Sequence, residues 1–320
     1  MSGKSPVVID LKFSRASVTK ALSGAFADRE VIDMGDPQIG GRDLSGVEYA
    51  VVWKPNPVLF SRAKDLKVIF SGGAGVDHIL SAYQLPDIPV VRFVDRSLTD
   101  RMSEWVVLQC LTHLRRMPEY AVQQRERLWH ELDGQPEARD VTVGIMGLGV
   151  LGRDAAAKLK TMGFNVIGWS RRPKSLKSLQ TYDASGLQDF LAATDILVGL
   201  LPLTDETRGI YNADLFAKLR RGGALGKPIF INAGRGGSQV EGDLFVALKD
   251  GTLAGASLDV FESEPLGTDS PLWRMDNVII TPHAAAASDV GALFRHVEEQ
   301  IARLESGQKL KHIVDRAAGY

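Results

Sequence analysis

Three side chains that can carry acid–base and anion chemistry lie in the C-terminal third of the chain. Arg235, Glu264 and His283 each follow closely after an apolar segment that is typical of a buried strand. Ligands of open α/β sheets bind at the carboxyl ends of parallel strands, so we expect these three side chains to converge. Each alone also fits an ordinary role: an exposed loop residue, a turn residue before Pro265, or a helix cap.

The three residue types suit the reduction of a carbonyl group next to a carboxylate. An arginine stays charged, so it can hold the carboxylate and polarise the carbonyl. A histidine gives or takes a proton near neutral pH. A glutamate beside it orients the imidazole ring and favours the protonated form that reduction requires. No metal site is predicted.

A glycine-rich loop at 147–152 predicts a dinucleotide site. It follows a predicted strand at 141–146, precedes a predicted helix at 153–162, and reads GLGVLG. In this context Gly147 permits the tight turn, Gly149 lets the backbone approach a pyrophosphate, and Gly152 lets helix and strand pack closely. The helix start then faces the phosphates with unpaired N–H groups. A glycine-rich turn without a ligand is the alternative.

The residues after the next strand indicate which dinucleotide binds. NAD sites usually place an acid there, where it accepts a hydrogen bond from the ribose 2′-hydroxyl. This chain has Ser170, Arg171 and Arg172 instead, and no acid. Because guanidinium groups bind phosphate in a bidentate manner, these residues predict NADP, with NADPH preferred over NADH. An exposed basic loop without a ligand is the alternative.

Apolar and polar segments alternate along the chain in the pattern of repeated strand–helix units. Such units build a parallel sheet with right-handed crossovers. A long helical region from about 99 to 131 separates two series of strands; Pro118 should break or kink it, and 133–140 reads as a linker. Strands are predicted at 7–10, 50–54, 68–71, 89–94, 141–146, 165–169, 196–200, 229–232, 255–259 and 278–281, with helices at 17–27 and 56–64.

Length and composition limit the classes of protein that fit. A chain of 320 residues favours two domains, since a domain has roughly 150 residues. The 38 basic and 39 acidic residues give a net charge of −1, which argues against a nucleic-acid or membrane-surface role. Cys110 is the single cysteine and lies in an apolar helical stretch, so we expect a buried thiol in a reducing, cytoplasmic location without a signal peptide.

These motifs together resemble the D-isomer-specific 2-hydroxyacid dehydrogenase family over essentially the full chain. Within it the chain is similar to the bacterial glyoxylate/hydroxypyruvate reductase A type. The segments that carry the resemblance are 147–152, 201–209, 232–236, 259–261, 264–266 and 281–283, with 51–53 and 314–320 for the subgroup. The segment 220–228 departs from the family pattern, because it looks longer than the usual turn before the next strand.

The resemblance implies a fold and a domain arrangement. The fold class is α/β, with two doubly wound parallel-sheet domains: a Rossmann cofactor domain, residues 104–285, inserted in a flavodoxin-like substrate domain, residues 1–103 and 286–320. The active-site cleft would open between them. Residues 118–130 would be an arm that reaches the partner subunit of a homodimer, bringing Trp129 near the partner's cleft. The alternative is a solvated helix with Trp129 folded back on its own subunit.

The resemblance also implies roles for individual residues. Arg235 would bind substrate, Glu264 would support the base, His283 would act as acid and base, and Asp259 would lie near the nicotinamide carboxamide. The predicted cofactor contacts are Gly147, Leu148, Gly149, Val150, Leu151, Gly152, Ser170, Arg171, Arg172, Leu201, Pro202, Thr207, Ala233, Gly234, Arg235, Asp259, His283 and Ala285. The predicted substrate contacts are Trp53, Gly73, Ala74, Gly75, Val76, Trp129, Arg235 and His283.

The activity implied is NADPH-dependent reduction of small 2-oxo acids, glyoxylate to glycolate and hydroxypyruvate to D-glycerate. Backbone amides of residues 73–76 would hold the substrate carboxylate, although a plain glycine turn is what this segment suggests without the family. Two other functions stay open: reduction of larger 2-oxo acids, and a dinucleotide-binding corepressor-like interaction protein.

Overall fold

The computed structural model describes residues 4–39, 41–80 and 85–320, and the chain forms two compact units. Met1–Leu98 and Ser288–Tyr320 make up the first unit, and Thr99–Ala287 the second. The sequence placed these two divisions at 103/104 and 285/286; of the residues it assigned to the first domain, 1–3, 40 and 81–84 lie outside those described.

The elements alternate between strand and helix along most of the described chain. In order they are β1 (Lys4–Leu11), α1 (Arg15–Leu22), β2 (Arg29–Asp33), β3 (Tyr49–Trp53), α2 (Leu59–Arg62), β4 (Val68–Ser71), α3 (Asp77–Leu80), β5 (Val90–Val91), α4 (Arg96–Leu114), α5 (Met117–Glu126), β6 (Thr142–Met146), α6 (Val150–Thr161), β7 (Asn165–Trp169), β8 (Gln180–Tyr182), α7 (Leu187–Ala192), β9 (Ile196–Gly199), α8 (Ala213–Ala217), β10 (Ile229–Asn232), α9 (Glu241–Lys249), β11 (Gly255–Leu258), β12 (Val278–Ile280) and α10 (Val290–Glu305).

The first unit contains a five-stranded parallel sheet in the order β2-β1-β3-β4-β5. The inner strands β1, β3 and β4 are mostly buried, and Val7, Val8 and Ile9 have no exposed surface, as expected of a parallel sheet covered on both faces. Helix α10 belongs to this unit and buries an apolar face that includes Phe294. The ring of Phe294 contacts the ring of Phe26. The strand order is that of a flavodoxin-like sheet.

The second unit contains a seven-stranded parallel sheet in the order β12-β11-β10-β9-β6-β7-β8. The order reverses between β6 and β9, which is the switch point at which α/β sheets bind ligands. The predicted α/β class, with two doubly wound parallel sheets, is confirmed. No described helix is both long enough and apolar enough to cross a membrane.

The sequence analysis missed two strands, and both lie at sheet edges. β2 borders the first sheet and β8 borders the second. Their sequences, REVID and QTY, are polar and mostly half-buried or exposed. An edge strand is held by main-chain pairing on one side only and needs less apolar surface, so hydrophobic periodicity does not reveal it.

The long helical region divides earlier than predicted, and Pro118 does not break it. Helix α4 ends at Leu114, and Arg116 adopts a left-handed conformation with φ 55°. Pro118 lies in the first turn of α5, where the N–H that proline lacks has no helical partner in any case. Helix α5 ends at Glu126, so 127–131 is not helical, contrary to the prediction.

The segment 220–228 forms a compact turn. The Gly222 N–H donates to the Gly226 carbonyl at 2.9 Å, and both glycines have positive φ. The Arg220 guanidinium lies 3.3 Å from the buried Asp195 carboxylate, directly before β9. The turn therefore lies at the amino ends of the strands, at the opposite edge of the sheet from Arg235.

Candidate active site

The glycine-rich loop joins β6 to α6 in a conformation that leaves no room for a side chain at two of its glycines. Gly147 has φ 114°, and a Cβ there would lie 2.5 Å from the Leu200 carbonyl oxygen. A Cβ on Gly152 would lie 1.9 Å from the Gly147 carbonyl oxygen. A Cβ on Gly149 would meet nothing within 4 Å, and no side chain caps the start of α6. The amides at this helix start are open to an anion.

Two cationic side chains lie against this loop, and the sequence analysis did not select either. The Lys174 ammonium donates to the Leu148 carbonyl at 2.9 Å, and the Arg153 Nε donates to the Gly149 carbonyl at 3.2 Å. Partial burial lowers the pKa of Lys174, and the nearby charge of Arg153 lowers it further. The two cations create a positive potential where phosphates would approach.

The three residues chosen for the 2′-phosphate differ in their surroundings. Ser170 is buried, and its hydroxyl donates to the Arg172 carbonyl at 2.8 Å. Arg171 is paired with Glu206, with Nη1 2.5 Å from Oε2, whereas Arg172 is exposed. The Thr204 hydroxyl lowers the pKa of Glu206, and the Arg171 charge lowers it further. Arg171 therefore already has an anionic partner in the structure, whereas Arg172 is exposed.

Most of the other predicted cofactor contacts are buried or half-buried in the second unit. Leu148 turns its side chain into the core against Gly168, so only its backbone faces the loop. The Thr207 hydroxyl donates to the Pro202 carbonyl at 2.6 Å and thereby shapes the segment after β9. Leu201, Ala233 and Ala285 are buried. Gly234 packs against the Leu201 carbonyl. Val150 and Leu151 are half-buried in the first turn of α6.

Arg235 follows β10 on a tight loop. Asn232, the last residue of the strand, accepts from the Gly234 N–H at 3.0 Å and donates to the Arg235 carbonyl at 3.3 Å. The Arg235 side chain is half-buried and donates through Nη1 to the Gly234 carbonyl at 2.8 Å. The loop thus holds the guanidinium at the carboxyl edge of the sheet.

His283 and Glu264 are paired in the structure. The His283 Nδ1 lies 2.9 Å from the Glu264 Oε2, and the other carboxylate oxygen accepts from the Phe261 N–H at 3.3 Å. Both side chains are partly exposed, at 39% and 25%. Because Nδ1 faces the carboxylate, Nε2 is the nitrogen that can face a substrate.

The backbone of His283 is held in a rare conformation by Asp259. His283 has φ 52°, and its N–H donates to the Asp259 carbonyl at 2.8 Å. The buried Asp259 carboxylate accepts from the Thr281 hydroxyl at 2.5 Å and from the N–H groups of Ala284 and Ala285 at 2.8 and 3.0 Å. A positive φ is strained for residues other than glycine, and such strain persists only where surrounding contacts impose it.

The three chemical residues therefore occupy one edge of the sheet. β10, β11 and β12 are neighbours and all parallel, and Arg235, Glu264 and His283 follow their carboxyl ends in that order. The arrangement combines a cation with an imidazole whose ring is oriented by a carboxylate. Among the residues described, no group of three or more His, Cys, Asp or Glu side chains is placed to hold a metal ion.

In the first unit, the glycine loop after β4 packs under Trp53. A Cβ on Gly73 would lie 2.5 Å from the Trp53 Cζ3, so only glycine fits there. The Trp53 ring also lies 4.1 Å from the His78 ring, centroid to centroid. The Ser71 hydroxyl donates to the Gly75 carbonyl at 3.1 Å. Ala74 is half-buried and Val76 is buried, so Val76 can offer a ligand only its backbone.

Trp129 lies beyond the end of α5 and does not pack on its own chain. Its side chain is fully exposed, and that of Leu128 is about half exposed. The segment folds back through a bond from the Leu128 N–H to the Gln123 carbonyl, while the Tyr120 hydroxyl accepts from the Leu132 N–H. The alternative in which Trp129 folds against its own subunit is wrong.

Comparison with known proteins agrees with this geometry. The family model described as "D-isomer specific 2-hydroxyacid dehydrogenase, NAD binding domain" matches residues 107–285. The chain belongs to the D-isomer-specific 2-hydroxyacid dehydrogenase family. The matched region contains the glycine loop, Arg235, Glu264 and His283.

Solved structures of this family superpose on the whole chain. An NADPH-dependent glyoxylate/hydroxypyruvate reductase from Sinorhizobium meliloti, in complex with NADP and sulfate, is 64% identical; the match covers 99% of this chain and 100% of that one, with a TM-score of 0.97. A probable 2-hydroxyacid dehydrogenase from Rhizobium etli, in complex with NADP, HEPES and L(+)-tartaric acid, is 63% identical, covering 98% and 99%, with a TM-score of 0.94. A D-isomer specific 2-hydroxyacid dehydrogenase from Xanthobacter autotrophicus, in complex with NADPH and MES, is 39% identical, covering 99% of each chain, with a TM-score of 0.89.

Four polar residues to which the sequence analysis gave no role in the site lie below or beside the motifs, although Asn232 lies within the segment 232–236 that carries the resemblance. Lys174 follows the basic segment by two positions, so its place in the sequence was a usable signal. Arg153 lies on the exposed face of α6, one residue beyond the glycine loop. Asn232 and Gln239 are buried beneath the Arg235 loop, and a buried amide leaves no trace in hydrophobic periodicity.

Proposed function

We propose that this protein reduces small 2-oxo acids with NADPH, converting glyoxylate to glycolate and hydroxypyruvate to D-glycerate. The observation that carries the proposal is the 2.9 Å contact between His283 and Glu264, on the same sheet edge as Arg235 and in the unit that contains the glycine loop. The 64% identical Sinorhizobium meliloti reductase, which acts on these two acids according to its name, supports the choice of substrates.

The residues around the glycine loop fit a bound NADPH. The open face of Gly149 and the uncapped start of α6 suit a pyrophosphate. Arg171 and Arg172 bind the 2′-phosphate, with Lys174 and Arg153 adding positive charge beside the loop. When bound, NADPH supplies a hydride for the carbonyl carbon of the acid. Asp259 holds the loop of His283 and would lie near the nicotinamide carboxamide.

Arg235 and His283 handle the substrate's charges. The Arg235 guanidinium binds the carboxylate and draws electron density from the carbonyl oxygen. As that oxygen gains charge, the protonated His283 gives it a proton from Nε2. Glu264 keeps the ring oriented through Nδ1. The backbone amides of residues 73–76 bind the carboxylate, with Trp53 above Gly73 limiting substrate size.

We infer a homodimer in the cytoplasm, with residues 104–285 as the cofactor domain and 1–103 with 286–320 as the substrate domain. The exposed Trp129 at the end of α5 supports the dimer, because an unpaired large aromatic costs free energy in water. The single cysteine, Cys110, is buried with its pKa raised by burial, which suits a reducing compartment.

A steady-state assay of NADPH oxidation tests the proposal. Glyoxylate and hydroxypyruvate should be reduced with a higher kcat/KM than pyruvate or branched 2-oxo acids, and NADPH should be used in preference to NADH. A higher kcat/KM for branched acids would assign the protein to the reductases of larger substrates. NADPH binding without turnover of any 2-oxo acid would refute the proposal and favour an interaction protein.

A further inference from the structure

A buried amide pair lies between the loop of Arg235 and the loop of Glu264. The Asn232 Nδ2 donates to the Gln239 Oε1 at 2.8 Å, and the Gln239 Nε2 donates to the Val260 carbonyl at 3.1 Å. Asn232 is fully buried and Gln239 is 2% exposed. Asn232 belongs to the Arg235 loop, and Val260 begins the segment that leads to Glu264, so Gln239 bridges the two.

The backbone groups at the two ends of this chain of hydrogen bonds, the Gly234 N–H and the Val260 carbonyl, determine the direction of each bond. The Gly234 N–H can only donate, and it donates to the Asn232 Oδ1. The Asn232 amide nitrogen therefore faces Gln239, and the Gln239 oxygen must accept from it. The Gln239 nitrogen is then left for the Val260 carbonyl, which can only accept. Reversing either amide would bring two donors or two acceptors together in a buried position.

The bridge lies under a contact that leaves little free space. A Cβ on Gly236 would lie 1.8 Å from the Phe261 carbonyl oxygen, so the Arg235 loop touches the backbone of the Glu264 loop directly. The Phe261 N–H in turn donates to the Glu264 carboxylate. A displacement at Gln239 would pass to Arg235 through Asn232 and to Glu264 through residues 260 and 261.

We propose that Gln239 is a positioning residue that couples the substrate-binding Arg235 to the Glu264–His283 pair. The inference rests on the proposed function, because it concerns the same reaction. Gln239 touches neither reacting atom; it sets the distance between the group that binds the carboxylate and the pair that delivers the proton. Misplacement by about 1 Å at such a site lowers rates by about a hundredfold.

The first test replaces the bridge by an apolar side chain of similar length. In the full-length protein, Gln239→Met should lower kcat/KM for glyoxylate by roughly 10- to 100-fold, with both a higher KM and a lower kcat. The Kd for NADPH, measured by fluorescence titration, should stay within about twofold, since the glycine loop lies on other strands. Gln239→Glu, which keeps the acceptor for Asn232 and loses the donor to Val260, should also be impaired.

A matched control separates positioning from loss of stability. Gln300 is a buried glutamine of α10 in the first unit, and its side chain accepts from the Lys311 N–H at 2.8 Å. Gln300→Met removes a comparable buried amide from the other unit, so it should lower the melting temperature with kcat/KM changed by less than about threefold. Rates are compared per mole of enzyme that binds NADPH. If Gln239→Met does not fold, Gln239→Glu is compared with Gln300→Met instead.

The decisive measurement is the coupling between Arg235 and Glu264. With Gln239 present, Arg235→Lys and Glu264→Gln should lower kcat/KM non-additively, when the two losses are expressed as free energies and the double variant is compared with the single ones. In the Gln239→Met background the two free-energy losses should add. Coupling that persists without Gln239, or a loss no greater than that of Gln300→Met, would overturn the inference and leave the proposed function intact. A wild-type protein that reduces no 2-oxo acid would overturn both.

Discussion

At the scale of single residues, His283 shows how neighbours impose a reactive geometry. Its left-handed backbone is held by Asp259 and its ring by Glu264. The Asp259 carboxylate accepts hydrogen bonds from a hydroxyl and from two backbone N–H groups. If the loop moved away, these bonds would break and the buried carboxylate would be left without partners. The backbone and the ring of His283 are thus both held by contacts within the chain.

The first prediction concerns this proton donor. His283→Ala should lower turnover of glyoxylate by roughly 10²- to 10⁴-fold, the range for loss of a general acid, with little change in the Kd for NADPH. Glu264→Gln weakens the hydrogen bond that orients the His283 ring, so it should also lower turnover of glyoxylate. Steady-state kinetics check both variants, with Glu262→Gln as the control. Wild-type turnover by His283→Ala would exclude the assigned role.

The second prediction concerns cofactor choice. Replacing Arg171 and Arg172 together by neutral residues should weaken the binding of NADPH and leave the binding of NADH nearly unchanged, because only the 2′-phosphate contact is lost. Lys174→Met should also raise the Kd for NADPH, whereas Lys177→Met, three residues further on and exposed, should not. Titration with both cofactors measures the effect, and equal losses for NADPH and NADH would contradict the assignment.

At the scale of elements, a buried polar network joins helix α4 to strand β11. The His113 ring lies 2.9 Å from the Ser257 hydroxyl, which donates to the Gln109 side chain at 2.9 Å. Because the single hydroxyl proton goes to Gln109, the His113 Nε2 is the donor to Ser257. Burial lowers the pKa of His113 to about 4. β11 leads directly to Asp259, so this network supports the strand that holds the His283 loop.

The third prediction follows from that lowered pKa. In the unfolded chain a histidine protonates near pH 6.5, so between about pH 6.5 and 4 the unfolded state holds a proton that the folded state lacks. The stabilisation is complete above about pH 6.5 and is lost as pH falls to about 4, by up to ~3 kcal/mol. His113→Gln should flatten this slope in denaturant unfolding, even if it lowers stability at pH 7. The exposed His130→Gln should leave the slope unchanged, and an unaltered slope in His113→Gln would refute the prediction.

At the scale of the whole molecule, the exposed end of α5 gives the fourth prediction. We expect a twofold-symmetric homodimer in solution scattering, with residues 100–140 at its interface. Trp129→Ala should raise activity on bulkier 2-oxo acids relative to glyoxylate, with less effect on NADPH binding. Trp273, another exposed tryptophan whose ring N–H donates to the Gly267 carbonyl, provides the control variant Trp273→Ala. A monomer would contradict the dimer, and an unchanged substrate ranking would contradict the role of Trp129 alone.

The sequence by itself determined the class of fold, the glycine loop and the three chemical residues. Continuous apolar strands followed by helices leave few alternatives to a parallel sheet, and a parallel sheet brings strand ends to one edge. Arg235, Glu264 and His283 could therefore be grouped without coordinates. The edge strands β2 and β8 could not be found, because their polar sequences are held by main-chain pairing rather than by buried side chains.

Only the tertiary structure decided which polar groups meet. Glu206 lies 35 residues from Arg171 in the chain and Val260 lies 21 residues from Gln239, yet each pair is in contact. A hydrogen bond or ion pair forms only when the distance between its two atoms is right to within a few tenths of an ångström. The hydrophobic periodicity of a sequence carries no information at that precision. The pairing of Arg171, the loop-holding role of Asp259 and the bridge through Gln239 thus follow from how the loops pack once the sheet has brought their strands together.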